Sequence, residues 1–387
     1  MNTSPRGVLC YNKRTMGLFG SKKPSSFLGV DIGASGIKLV ELGKEKGRPK
    51  LLTYGYSELP HEGDPISLFE DPRIAGQMLT EVYKKAGCKS TMVMTALPMS
   101  EVFSSIISVP RIADKKKLQE IIDAEVAKLT PIPIEEMITY STFIDEVEKK
   151  PEGKKAKKEK GEQKQAPEKE SKFLRVLVTG SAKSMVQKYV EIFKHAKLDL
   201  QAIDTESFSL IRSLVGKDKS TVCLIDMGSR RTNLTIVESG ISFISRSINI
   251  GGESVTKSFM EQMQMQYADA ERMKRDLGSS ANTQANQLPP VLETLMHALV
   301  NEIRYVFQLY ASTELTSKKK VEKIILTGGS SHLPGLPEYL SHALSLNVYR
   351  GDPWARTAYP EELRRILDEI GPRMAVAVGL AMRDIDG

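Results

Sequence analysis

Leu28-Gly-Val-Asp-Ile-Gly-Ala-Ser-Gly-Ile-Lys38 is an apolar strand ending in an aspartate, then a glycine-containing turn, then a second strand that carries a lysine. Gly33 and Gly36 allow the turn positive φ, so that its N–H groups, with those of Ala34 and Ser35 between them, face outward as a nest for phosphate oxygens. Asp31 repels phosphate itself, but a hydrated Mg²⁺ prefers carboxylate oxygen and keeps most of its waters. Lys38 adds positive charge beside the same oxygens. Taken singly, the stretch also reads as an ordinary β-hairpin.

A second copy favours the phosphate reading. Thr221-Val-Cys-Leu-Ile-Asp-Met-Gly-Ser-Arg-Arg-Thr-Asn-Leu-Thr-Ile-Val237 again runs apolar strand, aspartate, glycine turn, apolar strand. Two such hairpins so far apart imply two similar domains facing one another across a nucleotide cleft. Gly228, Ser229, Arg230 and Thr232 are the second turn's candidate phosphate contacts, and Asp226 is the counterpart of Asp31. A third segment, Ile324-Ile-Leu-Thr-Gly-Gly-Ser-Ser-His-Leu-Pro-Gly-Leu336, is a buried strand running into Gly328, Gly329 and Ser330. Paired glycines there permit close backbone approach to a flat or bulky ligand.

In this order the three segments resemble the phosphate 1, phosphate 2 and adenosine motifs of the actin, Hsp70 and sugar-kinase superfamily. The resemblance implies an α/β, actin-like (ribonuclease H-like) two-domain ATPase fold that binds ATP and Mg²⁺, with Asp31 and Asp226 as metal ligands. Asp199 to Ser209 resembles the Hsp70 connecting segment, which makes Glu206 the candidate water-orienting residue and, with Asp226, a catalytic candidate. Glu206 reads equally well as a helix-opening glutamate favoured by the macrodipole. Ala270-Glu-Arg-Met-Lys274 resembles the A-E-x-x-K segment whose Glu and Lys contact ribose and adenine, implicating Glu271 and Lys274. The plain alternative is an exposed ion pair one helical turn apart. The second turn departs from the Asp-x-Gly-Gly-Gly-Thr of vigorous ATPases, which implies binding with slow turnover.

Composition excludes several classes. The 387 residues are 40% hydrophobic and 27% charged, enough for two domains with a sizeable core, and no apolar run is long enough for a membrane span. Three separated cysteines suggest neither a disulfide framework nor a zinc site, so a reducing cytoplasm is expected. The net charge of +7 is local: residues 1–26 carry five unopposed cations, and 149–172 carry ten Lys against five Glu. Removing +5 for each stretch leaves the remainder at about −3, which argues against a nucleic-acid-binding surface.

Along the chain, residues 1–26 are expected to be a disordered extension, with Met16 as a natural start. Residues 27–98 form a first nucleotide-binding subdomain, with strands near 27–32, 37–43, 50–57 and 91–97 and a helix near 72–86. Residues 99–200 form an inserted βαββα block containing a disordered Lys/Glu-rich loop, 149–172, readable as a tether for an acidic partner or as a solvated extension. Residues 201–250 hold a connecting helix and the second nucleotide-binding subdomain, 251–320 a helical subdomain, and 321–387 the rest of the second half with a small-residue closing helix. Trp354 is expected as a packing anchor and the five histidines as bland.

A compact insertion in that position resembles FtsA. The run from Phe27 to Leu42, the Met16-Gly-Leu-Phe-Gly opening and an end without a basic amphipathic helix resemble the PilM family of type IV pilus assembly proteins. That resemblance implies a cytoplasmic protein held at the inner membrane by the N-terminal cytoplasmic peptide of PilN, without direct membrane insertion. PilO would be met indirectly, and assembly ATPases, the platform protein and a homo-oligomer are further contacts left open. A small-molecule kinase of the sugar-kinase branch and an FtsA-like cell-division ATPase are the alternatives.

Overall fold

The computed structural model describes residues 26–59, 68–144, 172–278, 287–316, 318, 320–383 and 385. The N-terminal extension up to residue 25 and the Lys/Glu-rich stretch up to residue 171 lie outside them.

Two five-stranded sheets share one topology. In the first, β1 (Ser26–Gly33) pairs antiparallel with β2 (Gly36–Glu45), which pairs with β3 (Arg48–Tyr56). On its other side β1 runs parallel to β4 (Met92–Leu97), which runs parallel to β8 (Asp199–Thr205). The second repeats the pattern: β9 (Val222–Met227) pairs with β10 (Thr232–Glu238) and β10 with β11 (Ile241–Ile248), while β12 (Lys323–Thr327) lies parallel to β9 and to β13 (Asn347–Arg350). The central strands β1 and β9 are almost wholly buried, which is why both read as unbroken apolar runs and not as alternations.

The inserted block is a three-stranded antiparallel sheet in which β7 (Phe173–Ala182) lies between β5 (Phe103–Pro110) and β6 (Met137–Phe143). Helix α2 (Lys115–Ala127) covers it through Leu118, Ile122 and Val126. Helix α3 (Lys183–His195), expected within that block, instead packs against α1 (Pro72–Lys85). Its Val186, Tyr189, Ile192 and Phe193 join the core beneath the first sheet. An amphipathic stripe says that a helix buries one face, not against which neighbour. Strand β8 likewise comes from a segment read only as a linker.

The connection between the halves is short and buried. After β8, α4 (Glu206–Leu210) continues into a π-helical turn over Ile211–Val215. There Arg212 donates to Asp204 of β8 and, at 2.9 Å, to the carbonyl of Gly379. The second half carries α5 (Gly252–Met263), α6 (Tyr267–Gly278), α7 (Glu293–Ser312) and α8 (Leu336–Leu344). Helix α9 (Arg364–Ala381) is the expected closing helix and accommodates Pro372 within it. Although it follows the second sheet in sequence, it lies on β1 and β2 of the first. Its small residues make that possible: a Cβ on Gly29 of β1 would fall 2.1 Å from the Ala377 carbonyl oxygen. Trp354 is buried and donates its indole N–H to the Leu367 carbonyl at 3.0 Å, the packing role expected of it.

Candidate functional site

The two Asp-Gly hairpins, the paired-glycine turn and the α6 segment converge on one cavity of about 920 Å³ between the halves. All the expected site residues line it except Gly36 and Thr232. Gly36 sits just behind the first turn at φ 139°, and a Cβ there would fall 2.0 Å from the Ser57 carbonyl oxygen, so only glycine fits. Thr232 is fully buried and donates to the Ile250 carbonyl at 2.6 Å, bracing the second turn from below without facing the cavity.

The second turn is closed by the Gly228 N–H donating to the Arg231 carbonyl at 2.9 Å. The start of α5 is seated on it, with the N–H groups of Gly252 and Glu253 donating to the carbonyls of Gly228 and Ser229. Ser330, from the paired-glycine turn, donates its hydroxyl to the Gly228 carbonyl at 3.1 Å, joining the second and third motifs directly. The Gly328 N–H and the Thr327 hydroxyl both donate to the Pro372 carbonyl, which attaches the third motif to α9.

Four ionisable groups meet where the two Asp-Gly turns face each other. Lys38 donates to Asp31 at 3.0 Å, both largely buried. Glu206 opens α4 behind the N-cap Thr205, so the helix-opening reading holds, yet its carboxylate also lines the cavity. Its Oε2 accepts from the Met99 N–H at 2.9 Å and from the Asn233 side-chain amide at 3.0 Å. Burial, followed by the nearby Asp226 and Asp31, pushes Glu206 up to about 8. Burial and then Asp31 push Asp226 up to about 6. Both carboxyls therefore hold their protons more tightly than an exposed carboxyl does.

Glu271 and Lys274 are paired at 2.6 Å, but the pair is largely buried and faces the cavity, unlike an ordinary surface pair. Lys274 also donates to the Gly252 carbonyl and the Thr256 hydroxyl. Asn233, Glu58, Arg275 and Arg373 also line the cavity and went unread in the sequence. Only Asn233 carried a signal, its position in the second hairpin matching that of Lys38 in the first.

Two carboxylates beside phosphate-sized nests fit an ion that takes one or two protein oxygens and keeps its waters. Among the described residues no three acidic, His or Cys side chains close on one point, so these residues do not form an all-protein cage.

The chain resembles known proteins along most of its length. Cell division protein FtsA of Rhizobium meliloti is 27% identical over 203 residues, which span 46% of this chain and only 44% of that protein. FtsA of Bacillus subtilis is 24% identical over a similar share. Among solved structures, the PilM-PilN type IV pilus biogenesis complex superposes with a TM-score of 0.75 at 23% identity, covering 93% of this chain and 98% of that one. The ethanolamine utilization protein EutJ of Carboxydothermus hydrogenoformans gives 0.51 at 14% identity, covering 93% and 90%. The duplicated sheets are thus those of the actin-like two-domain fold. The sequence model described as type IV pilus assembly protein PilM matches residues 29–157 and 161–385, and the chain belongs to that family.

Proposed function

We propose that this chain is an actin-like nucleotide-binding protein of type IV pilus assembly, which binds Mg²⁺-ATP between its halves and docks the cytoplasmic tail of PilN. The observation that carries the nucleotide reading is the convergence of both Asp-Gly turns and the paired-glycine turn on one cavity. The first turn offers backbone N–H groups and Lys38 to phosphates, and the second offers its backbone flanked by Arg230. Gly328, Gly329 and Ser330 with Glu271 and Lys274 form the end suited to the nucleoside. Asp31 and Asp226 would hold Mg²⁺, which supplies charge neutralisation for phosphate oxygens.

The PilN reading rests on family membership and on the similarity to a structure described as a PilM-PilN complex. No described helix is long and apolar enough to cross a membrane, so attachment through a partner is consistent with the chain. Calorimetry tests the nucleotide reading: Asp226→Ala is expected to weaken Mg²⁺-ATP binding at least tenfold, about 1.4 kcal/mol. Unchanged affinity in that variant would remove the phosphate-cleft assignment.

A further inference from the structure

Glu58 lies outside every motif read in the sequence, yet the structure ties it to three of them. It follows β3, and its neighbours are strapped to the first phosphate turn: the Leu59 N–H donates to the Ser35 carbonyl at 2.9 Å, and the Ser57 N–H to the Ile37 carbonyl at 2.8 Å. Its carboxylate reaches across the mouth of the cleft to two arginines. Oε2 accepts from Arg275 of α6 at 3.0 Å, and Oε1 from Arg373 of α9 at 3.0 Å. Arg275 is one residue beyond Lys274 and also donates to Glu271 at 3.1 Å. Arg373 follows Pro372, whose carbonyl holds Gly328, and its guanidinium lies 5.6 Å from the centre of the Tyr56 ring. One carboxylate therefore joins the first phosphate turn, the Glu271–Lys274 helix and the paired-glycine turn, and all three partners line the cavity.

We infer that Glu58, with Arg275 and Arg373, is a latch across the cleft mouth that sets how fast nucleotide enters and leaves the site. The inference rests on the nucleotide reading above. Widening the cleft between the first turn and α6 separates Glu58 from Arg275, so the ion pair adds to the barrier for passage in both directions. The second arm, to Arg373, holds the carboxylate in place while the first opens. Burial alone would raise the Glu58 carboxyl, but the two guanidiniums hold it below its ordinary range, so the latch stays charged at neutral pH. Because the side chains of Glu58 and Arg275 are 39% and 49% exposed, salt screens their attraction. Glu58 touches neither Asp31 nor Asp226 through any hydrogen bond in the structure, so its part is positioning and gating.

The test is stopped-flow release of N-methylanthraniloyl-ATP with Mg²⁺ from the full chain, chased by unlabelled ATP, across a range of salt. Release from the wild type is expected to quicken with salt. Glu58→Gln should release about five-fold faster at low salt and lose that dependence, with entry quickened as well and equilibrium affinity changed less. Glu58→Asp, which keeps the charge with a shorter reach, should fall between the two. Arg373→Gln provides a second variant, and its effect should shrink when combined with Glu58→Gln. Unchanged release in Glu58→Gln and Arg373→Gln, with labelled nucleotide bound, overturns the latch and leaves the nucleotide site standing. A wild type that binds no labelled nucleotide overturns both.

Discussion

Asn233 lies directly opposite Asp226 across the β9–β10 hairpin, the position that Lys38 holds opposite Asp31 across β1–β2. The duplicated fold thus gives one aspartate a cation and the other an amide. Lys38 compensates Asp31, whereas Asn233 donates to Glu206 from beside Asp226, the two acids whose carboxyls burial raises.

Charge at that position therefore decides how much the cleft depends on a metal. Asn233→Asp keeps the shape and adds an anion beside Glu206 and Asp226. It is expected to weaken ATP binding about tenfold without Mg²⁺ and much less with it. Calorimetry in both conditions checks this; equal losses would make the amide a purely structural group.

The connection between the halves has its own vulnerable point. Asp204 and Arg212 are both buried, and Arg212 also holds the carbonyl of Gly379 in α9. Asp204→Ala leaves a guanidinium buried without its carboxylate and is expected to cost about 3 kcal/mol or more. Urea unfolding measures the loss, and a change below about 1 kcal/mol would mean that Arg212 finds another acceptor or water.

Acid should loosen the helical side of the cleft. Burial alone would raise the Glu271 carboxyl, but hydrogen bonds from Lys274, Thr256 and Arg275 and the charge of Lys274 bring it down to about 2. A carboxyl lowered on folding stabilises above its unfolded value, near 4.5, and loses that contribution as pH falls toward 2. The thermal midpoint of Glu271→Gln should lie below that of the wild type at pH 6, and the gap should narrow by pH 3. A gap that stays constant would show that the carboxylate's charge is not what matters.

The parts legible in the sequence were those whose chemistry is local. Asp31, Gly33 and Gly36, and again Asp226 and Gly228, lie within a few residues of one another because a hairpin turn brings them together, so their spacing alone announces the turn. Glu58, Arg275 and Arg373 each come from a different element, and only the closure of the two halves assembles them. Helix α3 shows the same limit: Val186, Tyr189, Ile192 and Phe193 give a clear apolar face, but its assignment to the first core follows from α1 lying beside it. Thr232 was read as a ligand contact because the motif places it in the turn. The hairpin's register points its hydroxyl at Ile250 instead.

The last prediction concerns the partner. The inserted block does more than extend the first half: β5 packs against β11 of the second sheet, and Arg175 of β7 donates to the Leu315 carbonyl at 3.0 Å. Movement of the halves on nucleotide binding is therefore expected to shift the block relative to the first sheet, and the proposed docking of the PilN tail should respond to that shift. If ATP changes the affinity for that peptide, linkage requires the peptide to change the affinity for ATP by the same factor. Fluorescence anisotropy with a labelled PilN N-terminal peptide, with and without Mg²⁺-ATP, should show tighter binding in one state, and calorimetry should return the same factor from the other side. Arg175→Ala should reduce that factor, because it removes a hydrogen bond from the block to the second half. Sedimentation with anionic vesicles provides the contrast: strong vesicle binding without peptide binding would replace attachment through a protein partner with direct attachment to lipid.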